Sequence, residues 1–369
     1  MKNTLRLLKS ELIRESFNSM KYTKENPLKV IELFSGIGAQ RSALENVNIP
    51  YKVVAISEID KFALKSYNEM YNHCLDSGET INLGDITKID PSDVPDCDFM
   101  TYSFPCTDIS SLGHEQGLIE GTHTRSSLLW ECRKLIKHKK PKYLMLENVK
   151  MLLSKKNKPQ FNKWLATLDS FGYNNYYKVL NAKDFGMPQN RERVFVISIR
   201  KDIDGNTFSF YKPFPLQCRL GSMLESSVDN KFYLKYDLIK DMQFIPRTHN
   251  LGYVTTSPVA NLNHFAHRHM NCVFDEKSIS PTLTTMQGGN TQPKVLIKNP
   301  PKGVSTIELN DNTYGVRKLT PKECWRLMGF GDYQFEKAQS VNSNNQLYKQ
   351  AGNSIVIPVM SYIFKNLFK

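Results

Sequence analysis

A chain of 369 residues, 40% hydrophobic and 23% charged, has the composition of a folded protein with a sizeable core, and its length suggests two domains. Its 49 Lys and Arg exceed its 36 Asp and Glu, a net charge of +13 that points to a polyanionic partner, nucleic acid before membrane. No window approaches the roughly 18 uninterrupted apolar residues of a membrane helix, and residues 1–17 lack the apolar core of a signal peptide.

In chain order, residues 1–28 read as an N-terminal extension. From residue 29 to about 200, short apolar runs alternate with amphipathic stretches. Strands are expected at 29–33, 52–56, 81–83, 99–102, 143–146 and 194–199, and helices at 39–46, 61–71, 126–137 and 159–171. Continuously apolar strands separated by helical patterns imply an α/β fold with a mainly parallel sheet covered on both faces. From 201 to about 320 the chain turns rich in Pro, Asn, Thr and Gly, with short β-like pieces such as 294–297, which reads as a second, irregular, β-rich domain. Helical patterns return at 320–328 and 354–367. The expected division is 29–200 with 335–369 in one domain and 201–334 in the other. Seven cysteines, scattered and never spaced as CxxC, argue against a disulfide framework and a zinc ribbon and fit a reducing cytoplasm.

Ligands of an open parallel sheet bind beyond the carboxyl ends of its strands. Here the first strand is followed by Phe34, Ser35, Gly36, Ile37 and Gly38, the second by Glu58, the third by Gly84 and Asp85, the fourth by Ser103, Phe104, Pro105 and Cys106, and the fifth by Glu147 and Asn148. Two glycines before a helix allow close backbone approach to a ligand. A dinucleotide fingerprint requires a third glycine where this chain has Arg41. An acidic side chain at Glu58 suits ribose hydroxyls. A nucleoside ligand without a diphosphate therefore fits best, with S-adenosylmethionine the leading candidate. Cys106, fixed by a preceding proline at a strand end, has the setting of a nucleophile, and a strand as apolar as 143–146 does not end on a carboxylate such as Glu147 without a partner. Together they would set a thiol and a proton donor at one edge of the sheet. Arg191 and Arg193, two apart in extended chain, would point the same way as a fork for phosphate or base oxygens.

These residues resemble the DNA (cytosine-5)-methyltransferase family, and the resemblance runs from Val30 to Phe368. It is carried by IELFSGIGAQRSALE (31–45), SFPCTDIS (103–110), LENV (146–149), QNRERVF (189–195), RKLTPKECWRLMGF (317–330) and QLYKQAGNSIVIPVM (346–360), six motifs in the family's order. It implies a Rossmann-like, doubly wound S-adenosylmethionine-dependent domain with a smaller β-rich target-recognition domain inserted before its C-terminal helix. It also implies an enzyme that methylates cytosine C5 in particular DNA sequences. Cys106 would add to C6 of a cytosine flipped out of the duplex, Glu147 would bind or protonate N3, and Arg191 and Arg193 would hold the base. The thiol should be acidified or its deprotonation coupled to addition. For the cofactor, whose product is S-adenosylhomocysteine, the resemblance implies Phe34, Gly36, Ile37 and Gly38 around the methionine and adenine moieties. It further implies Glu58 on the ribose, Asp85 on the adenine amino group, Ile59 and Ile86 against the ring, and Pro105, Asn353 and Ser354 completing the pocket. Ser103 and Thr107 depart from the family's usual Gly and Gln around the nucleophile. Residues 107–125, with Gly113, Gly117 and Gly121, resemble a mobile active-site loop.

The stretch 280–289 resembles the family's DNA-facing loop, with Thr284, Thr285, Gln287, Gly288 and Gly289 as base-reading candidates. Residues 125–163 hold twelve Lys or Arg against two Glu, whereas 201–310 hold twelve basic and nine acidic residues. Lys155, Lys156 and Lys158 follow the fifth strand and are expected on the DNA side, whereas 133–142 precede it and are expected at the opposite edge. No metal is expected, the cluster His264, His267 and His269 notwithstanding. The expected partners are double-stranded DNA, a cognate restriction endonuclease where one exists, and no membrane, with the enzyme a monomer in the cytoplasm. The rival readings are a methyltransferase of the same fold acting on tRNA and a catalytically silent DNA-binding regulator.

Overall fold

The computed structural model describes residues 22–106, 108–109, 118–122, 124–245, 256–287 and 290–368. The chain builds two compact units and crosses between them at 181/182, 191/192, 212/213 and 356/357.

The larger unit is organised by seven strands: β1 (Leu28–Leu33), β2 (Tyr51–Ser57), β3 (Ile81–Asn82), β4 (Phe99–Tyr102), β5 (Tyr143–Val149), β6 (Tyr173–Asn181) and β7 (Glu192–Arg200), in the spatial order β3-β2-β1-β4-β5-β7-β6. The helices between them are α1 (Ala39–Asn46), α2 (Lys61–Met70), α3 (Leu129–Lys139) and α4 (Lys158–Ser170). β1 to β5 are parallel, as expected for strands joined through helical crossovers. The last two strands depart from expectation, because β7 runs antiparallel to both β5 and β6. β6 was not anticipated. Its sequence YNNYYKVLN is polar along much of its length because it lies at the sheet's edge with part of its surface in water. One face of the sheet packs Leu33, Tyr102 and Leu144 against Trp130, Leu135 and Trp164 of α3 and α4. On the other, Phe364 of the C-terminal helix (Ile357–Leu367) meets Phe99 of β4 edge-on at 5.4 Å, and that helix packs on α1. The order of strands reverses between β1 and β4, which puts the topological switch point at the loops starting with Phe34 and Ser103.

The smaller unit has a sheet of six short strands: β8 (Gln243–Phe244), β9 (Ala260–Asn261), β10 (Cys272–Phe274), β11 (Lys294–Lys298), β12 (Ile307–Leu309) and β13 (Asn312–Lys318), with Leu234, Ile239, Ala260, Leu262, Val273 and Val316 as its core. Its helices are α5 (Arg268–Asn271), α6 (Pro321–Met328), α7 (Asp332–Gln339) and α8 (Asn344–Asn353). Thr320 caps α6 in a capping box with Glu323, whose buried carboxylate also takes both guanidinium arms of Arg317 at 2.7 and 2.8 Å. Trp325 donates its indole N–H to the carbonyl of Leu347, tying α6 to α8. These ties hold 335–356 in the smaller unit, where the change in sequence texture had suggested a boundary at 334/335. The helix expected over 354–367 is present and begins three residues later, at Ile357. α8 ends at Asn353, the chain runs on non-helically, and the C-terminal helix starts with Pro358 in its first turn, the position a helix tolerates for proline.

Candidate active site

Three strand ends of the larger unit converge on its glycine loop. After Leu33 the backbone takes left-handed turns at Phe34, Gly36 and Gly38, with φ of 56°, 55° and 74°. A Cβ added at Gly36 would meet nothing within 4 Å, so the loop is open on that side, whereas one at Gly38 would lie 2.6 and 2.7 Å from ring carbons of Tyr71 and Tyr67. Glu58 faces this loop from the end of β2. Its Oε2 accepts from the N–H of Gly36 at 2.9 Å, and its Oε1 from the N–H groups of Ile59 and Asp60 at 2.8 Å each. A carboxylate oxygen accepts more than one hydrogen bond, so Glu58 retains capacity for hydroxyl donors. Asn82, which sequence reasoning passed over, joins β3 to this corner: its Oδ1 accepts from the N–H groups of Glu58 and Gly84, and its amide donates to the carbonyl of Glu58. Asp85 caps the turn that follows. The N–H and hydroxyl of Thr87 hold its carboxyl below the usual carboxylate range. Ile59 is 73% exposed, an apolar side chain offered at the loop, whereas Ile37 and Ile86 are buried.

At the other half of the sheet, Cys106 is half-buried against the core after β4. Two ties fix its loop. Ser126 donates its hydroxyl to the carbonyl of Pro105 and exchanges hydrogen bonds with Asp108, and Asn148 donates its amide to the carbonyl of Phe104 at 2.9 Å. Asn148 therefore binds the end of β5, where Glu147 sits, to the loop that carries Cys106. It stands inside the LENV motif, and only its position beside Glu147 signalled it in the sequence. Glu147 is buried opposite Phe195 of β7, and Arg193, two residues along that strand on the same face, brings Nε to within 3.3 Å of Glu147 Oε1. Thr107, Gly113 and Gly117 of the loop expected to close over DNA lie outside the described residues.

The expected fork of Arg191 and Arg193 is not formed. Regular strand geometry begins at Glu192, so the alternation that aligns residues two apart does not extend back to Arg191. Arg193 turns to Glu147, whereas Arg191 belongs to the smaller unit, buried, with Nη1 donating to the carbonyl of Leu283 and Nη2 to those of Gly352 and Ser354. Gln189 works alongside it, accepting from the N–H of Leu283 and donating to the carbonyl of Leu327. At Gly352 a Cβ would overlap the carbonyl of Thr284, so only glycine lets α8 approach that stretch. Segment 189–191 is thus a bracket for 280–285, on which Thr284 is exposed and Thr285 half-buried. Gln287 is exposed, and Gly288 and Gly289 lie outside the described residues. Asn353 and Ser354 lie in this unit, Ser354 beneath Arg191. Lys155, Lys156 and Lys158 are exposed after β5. Lys139 and Lys142, before β5, are paired with Asp96 and Asp98 at 3.2 and 2.7 Å. Among the described residues no group of three His, Cys, Asp or Glu could hold a metal ion, and no helix is long and apolar enough to cross a membrane.

Comparison with known proteins gives a concordant result. Residues 28–369 match the family model for C-5 cytosine-specific DNA methylase. The chain is 39% identical to the type II methyltransferase M2.ScrFI of Lactococcus lactis subsp. cremoris over 93% of its own length and 99% of that protein's. It is 32% identical to the orphan methyltransferase M.SPBetaI of Bacillus phage SPbeta, over 92% and 97%. Among solved structures, the S. pombe Dnmt2 methyltransferase superposes with a TM-score of 0.66 over 92% of this chain and 97% of that one at 22% identity, a likeness of fold.

Proposed function

Since the chain belongs to the C-5 cytosine-specific DNA methylase family and methylates cytosine at C5 in DNA, we propose that Cys106 is its nucleophile, Glu147 its acid and Arg193 the residue that orients Glu147. In this reading the thiolate of Cys106 forms a bond to C6 of a cytosine withdrawn from the stack, and the C5–C6 π pair moves onto C5. Glu147 donates to N3 and stabilises the charge the addition places on the ring. Loss of the C5 proton to a base then restores the double bond and expels the thiolate. S-adenosylmethionine, when bound, supplies the electrophilic methyl group that C5 takes. Its residues in the larger unit would be the loop at Phe34, Gly36, Ile37 and Gly38, with Glu58, Ile59, Asp85, Ile86 and Pro105; the resemblance assigns Asn353 and Ser354 of the smaller unit to the same cofactor. The space above Gly36, the Glu58 carboxylate beside it and the exposed Ile59 fit a nucleoside with an apolar base face.

The observation that carries the catalytic assignment is the pairing of Glu147 with Arg193 on the strand end that Asn148 binds to the Cys106 loop. For Arg191 the buried contacts favour positioning of the 280–285 stretch over contact with the base. That stretch, with Gln287, Gly288 and Gly289, is assigned to sequence recognition, and Lys155 and Lys156 to phosphate contacts. The substrate in this reading is duplex DNA in the cytoplasm, met by a monomer whose net charge of +13 favours it.

Bisulfite sequencing of DNA from cells producing the protein tests the whole reading, with methylation of one sequence context expected. Cys106→Ser should reduce that methylation by at least about a thousandfold while DNA binding persists. Near-normal turnover by this variant, or equal methylation of tRNA and duplex DNA in parallel assays, would refute the assignment.

A further inference from the structure

Beneath the glycine loop lies a group of charged and phenolic side chains that the reaction does not use. Glu32, next to last in β1 and flanked there by Ile31 and Leu33, is fully buried. Its Oε2 accepts from the hydroxyl of Tyr67 at 2.9 Å. Its Oε1 is buried and meets no hydrogen-bond donor among the described residues, as is true of the hydroxyls of Thr101, Glu32's neighbour on β4, and of Ser35 and Ser103 at the two strand ends. Tyr67 and Tyr71, stacked edge-on at 4.9 Å, are the two rings that fill the space a side chain at Gly38 would need. Tyr71 also donates to the carbonyl of Gly38 and shares a 2.7 Å hydrogen bond with Ser42. Arg41, where a dinucleotide loop would have glycine, lies over the Tyr71 ring at 4.5 Å and donates to the hydroxyl of Tyr51 and to Sγ of Cys74.

We propose that Glu32 is a positioning residue for the cofactor loop: its ionised carboxylate anchors Tyr67, and through Tyr67 the left-handed turn at Gly38 that admits S-adenosylmethionine. The inference rests on reading 34–38 as the cofactor loop. A phenol bound to a carboxylate is a charge-assisted hydrogen bond, shorter and stronger than one to a neutral acid. A carboxylate kept in an apolar strand with one oxygen unpartnered is a destabilising arrangement, and sites that retain one answer to function. The groups that act on Glu32 are Tyr67 from α2 and Arg41 and Glu45 from α1. Around them stand Tyr71 and Cys74 on the α2 side and Tyr51 from β2. Thr101 of β4 is uncharged, and the C-terminal helix packed on α1 carries Tyr362 and Lys365 as its titratable side chains. Burial raises the carboxyl of Glu32 to about 7, with Tyr67 and Arg41 opposing that shift. Its charge, and with it the grip on Tyr67, is therefore complete above that value and lost below it.

The test is the affinity of the full chain for S-adenosylhomocysteine, measured by titration calorimetry between pH 6 and pH 8. The wild type should bind about fivefold more weakly at pH 6 than at pH 8, within the tenfold per pH unit that a single linked proton allows. Glu32→Gln should bind at pH 8 as weakly as the wild type at pH 6, with no pH dependence. Should that variant fail to fold, Tyr67→Phe carries the same expectation. A pH profile unchanged by either substitution, or a flat wild-type profile, would overturn the proposal. Glu58→Ala separates the two levels of inference. If it leaves affinity intact, the loop is not the cofactor site and both readings fall. If it weakens binding equally at each pH while Glu32→Gln keeps the wild-type profile, only the role of Glu32 falls.

Discussion

Two carboxylates are buried in the same sheet and keep different company. Glu147, at the end of β5, has the guanidinium of Arg193 within 3.3 Å and sits where the chain has bound two strand ends together. Glu32, inside β1, has the phenol of Tyr67, the influence of Arg41, and one oxygen that meets no side-chain or backbone donor at hydrogen-bond distance among the described residues. The contrast divides the sheet. From β1 to β3 the strand ends shape backbone, through left-handed glycines and N–H groups gathered by Glu58, and their side chains act on loop geometry. From β4 to β7 they carry side chains, a thiol and an acid, which the proposed mechanism assigns to the reacting base. Substitutions should separate the two halves by which constant they change.

The largest effect is expected at Glu147. Glu147→Gln should lower kcat by about two to four orders of magnitude while leaving the affinity for S-adenosylhomocysteine within twofold. An equal loss of cofactor affinity would erase the division. Glu32→Gln should show the reverse pattern and, in addition, a gain in stability. The unfolded chain loses the Glu32 proton near its ordinary value of 4.5 and the folded chain at about 7. The contribution of this group is therefore fully present below 4.5 and lost as pH rises through 7, on the order of 3 kcal/mol in total. Denaturant unfolding at pH 5 and pH 8 should show that loss in the wild type and not in Glu32→Gln, making the variant the more stable protein at pH 8. A side chain with only a structural role would lose stability and affinity together. The smallest effects should come from surface charge. Neutralising Lys155, Lys156 and Lys158 should flatten the log–log salt dependence of DNA binding by about 0.9 per lost contact, whereas neutralising Lys137, Lys139 and Lys140, at the opposite end of β5, should change it little. Equal slopes would refute the assignment of sides.

Where the sequence was legible, the reason was periodicity and position. Apolar runs marked six of the seven strands in the larger sheet, and what followed them gave Gly36, Glu58, Cys106 and Glu147. The polar edge strand β6 escaped because a half-solvated strand carries no continuous apolar run. The antiparallel course of β7 escaped because parallel and antiparallel neighbours read alike in one strand. The fork of Arg191 and Arg193 was misjudged because strand alternation was extended one residue past where the strand begins. Glu32 is instructive in another way. Like Glu147, it is a carboxylate among apolar strand residues, but its partner Tyr67 is a helix residue thirty-five positions away that no local pattern connects to it. Asn82 and Asn148 act through backbone groups of distant loops and leave no signal of their own.

Among the described residues, the smaller unit is assembled from two separate pieces of chain, 182–191 and 213–356, and the shorter brings Gln189 and Arg191 to the carbonyls of the longer. That arrangement limits how such a protein can exchange parts by recombination. A crossover that imports 213–356 alone delivers a foreign segment to native brackets, which must then find the carbonyls of residues 283, 327, 352 and 354 in unchanged places. Phe214 and Cys218 are tied to the carbonyls of Asp184 and Gly186, and Ser280 to Pro188 and Asn190, so a productive exchange either carries 182–191 with it or stays between 219 and 279, inside those ties. The bracket thereby marks which part of the unit is free to diversify and which must travel together.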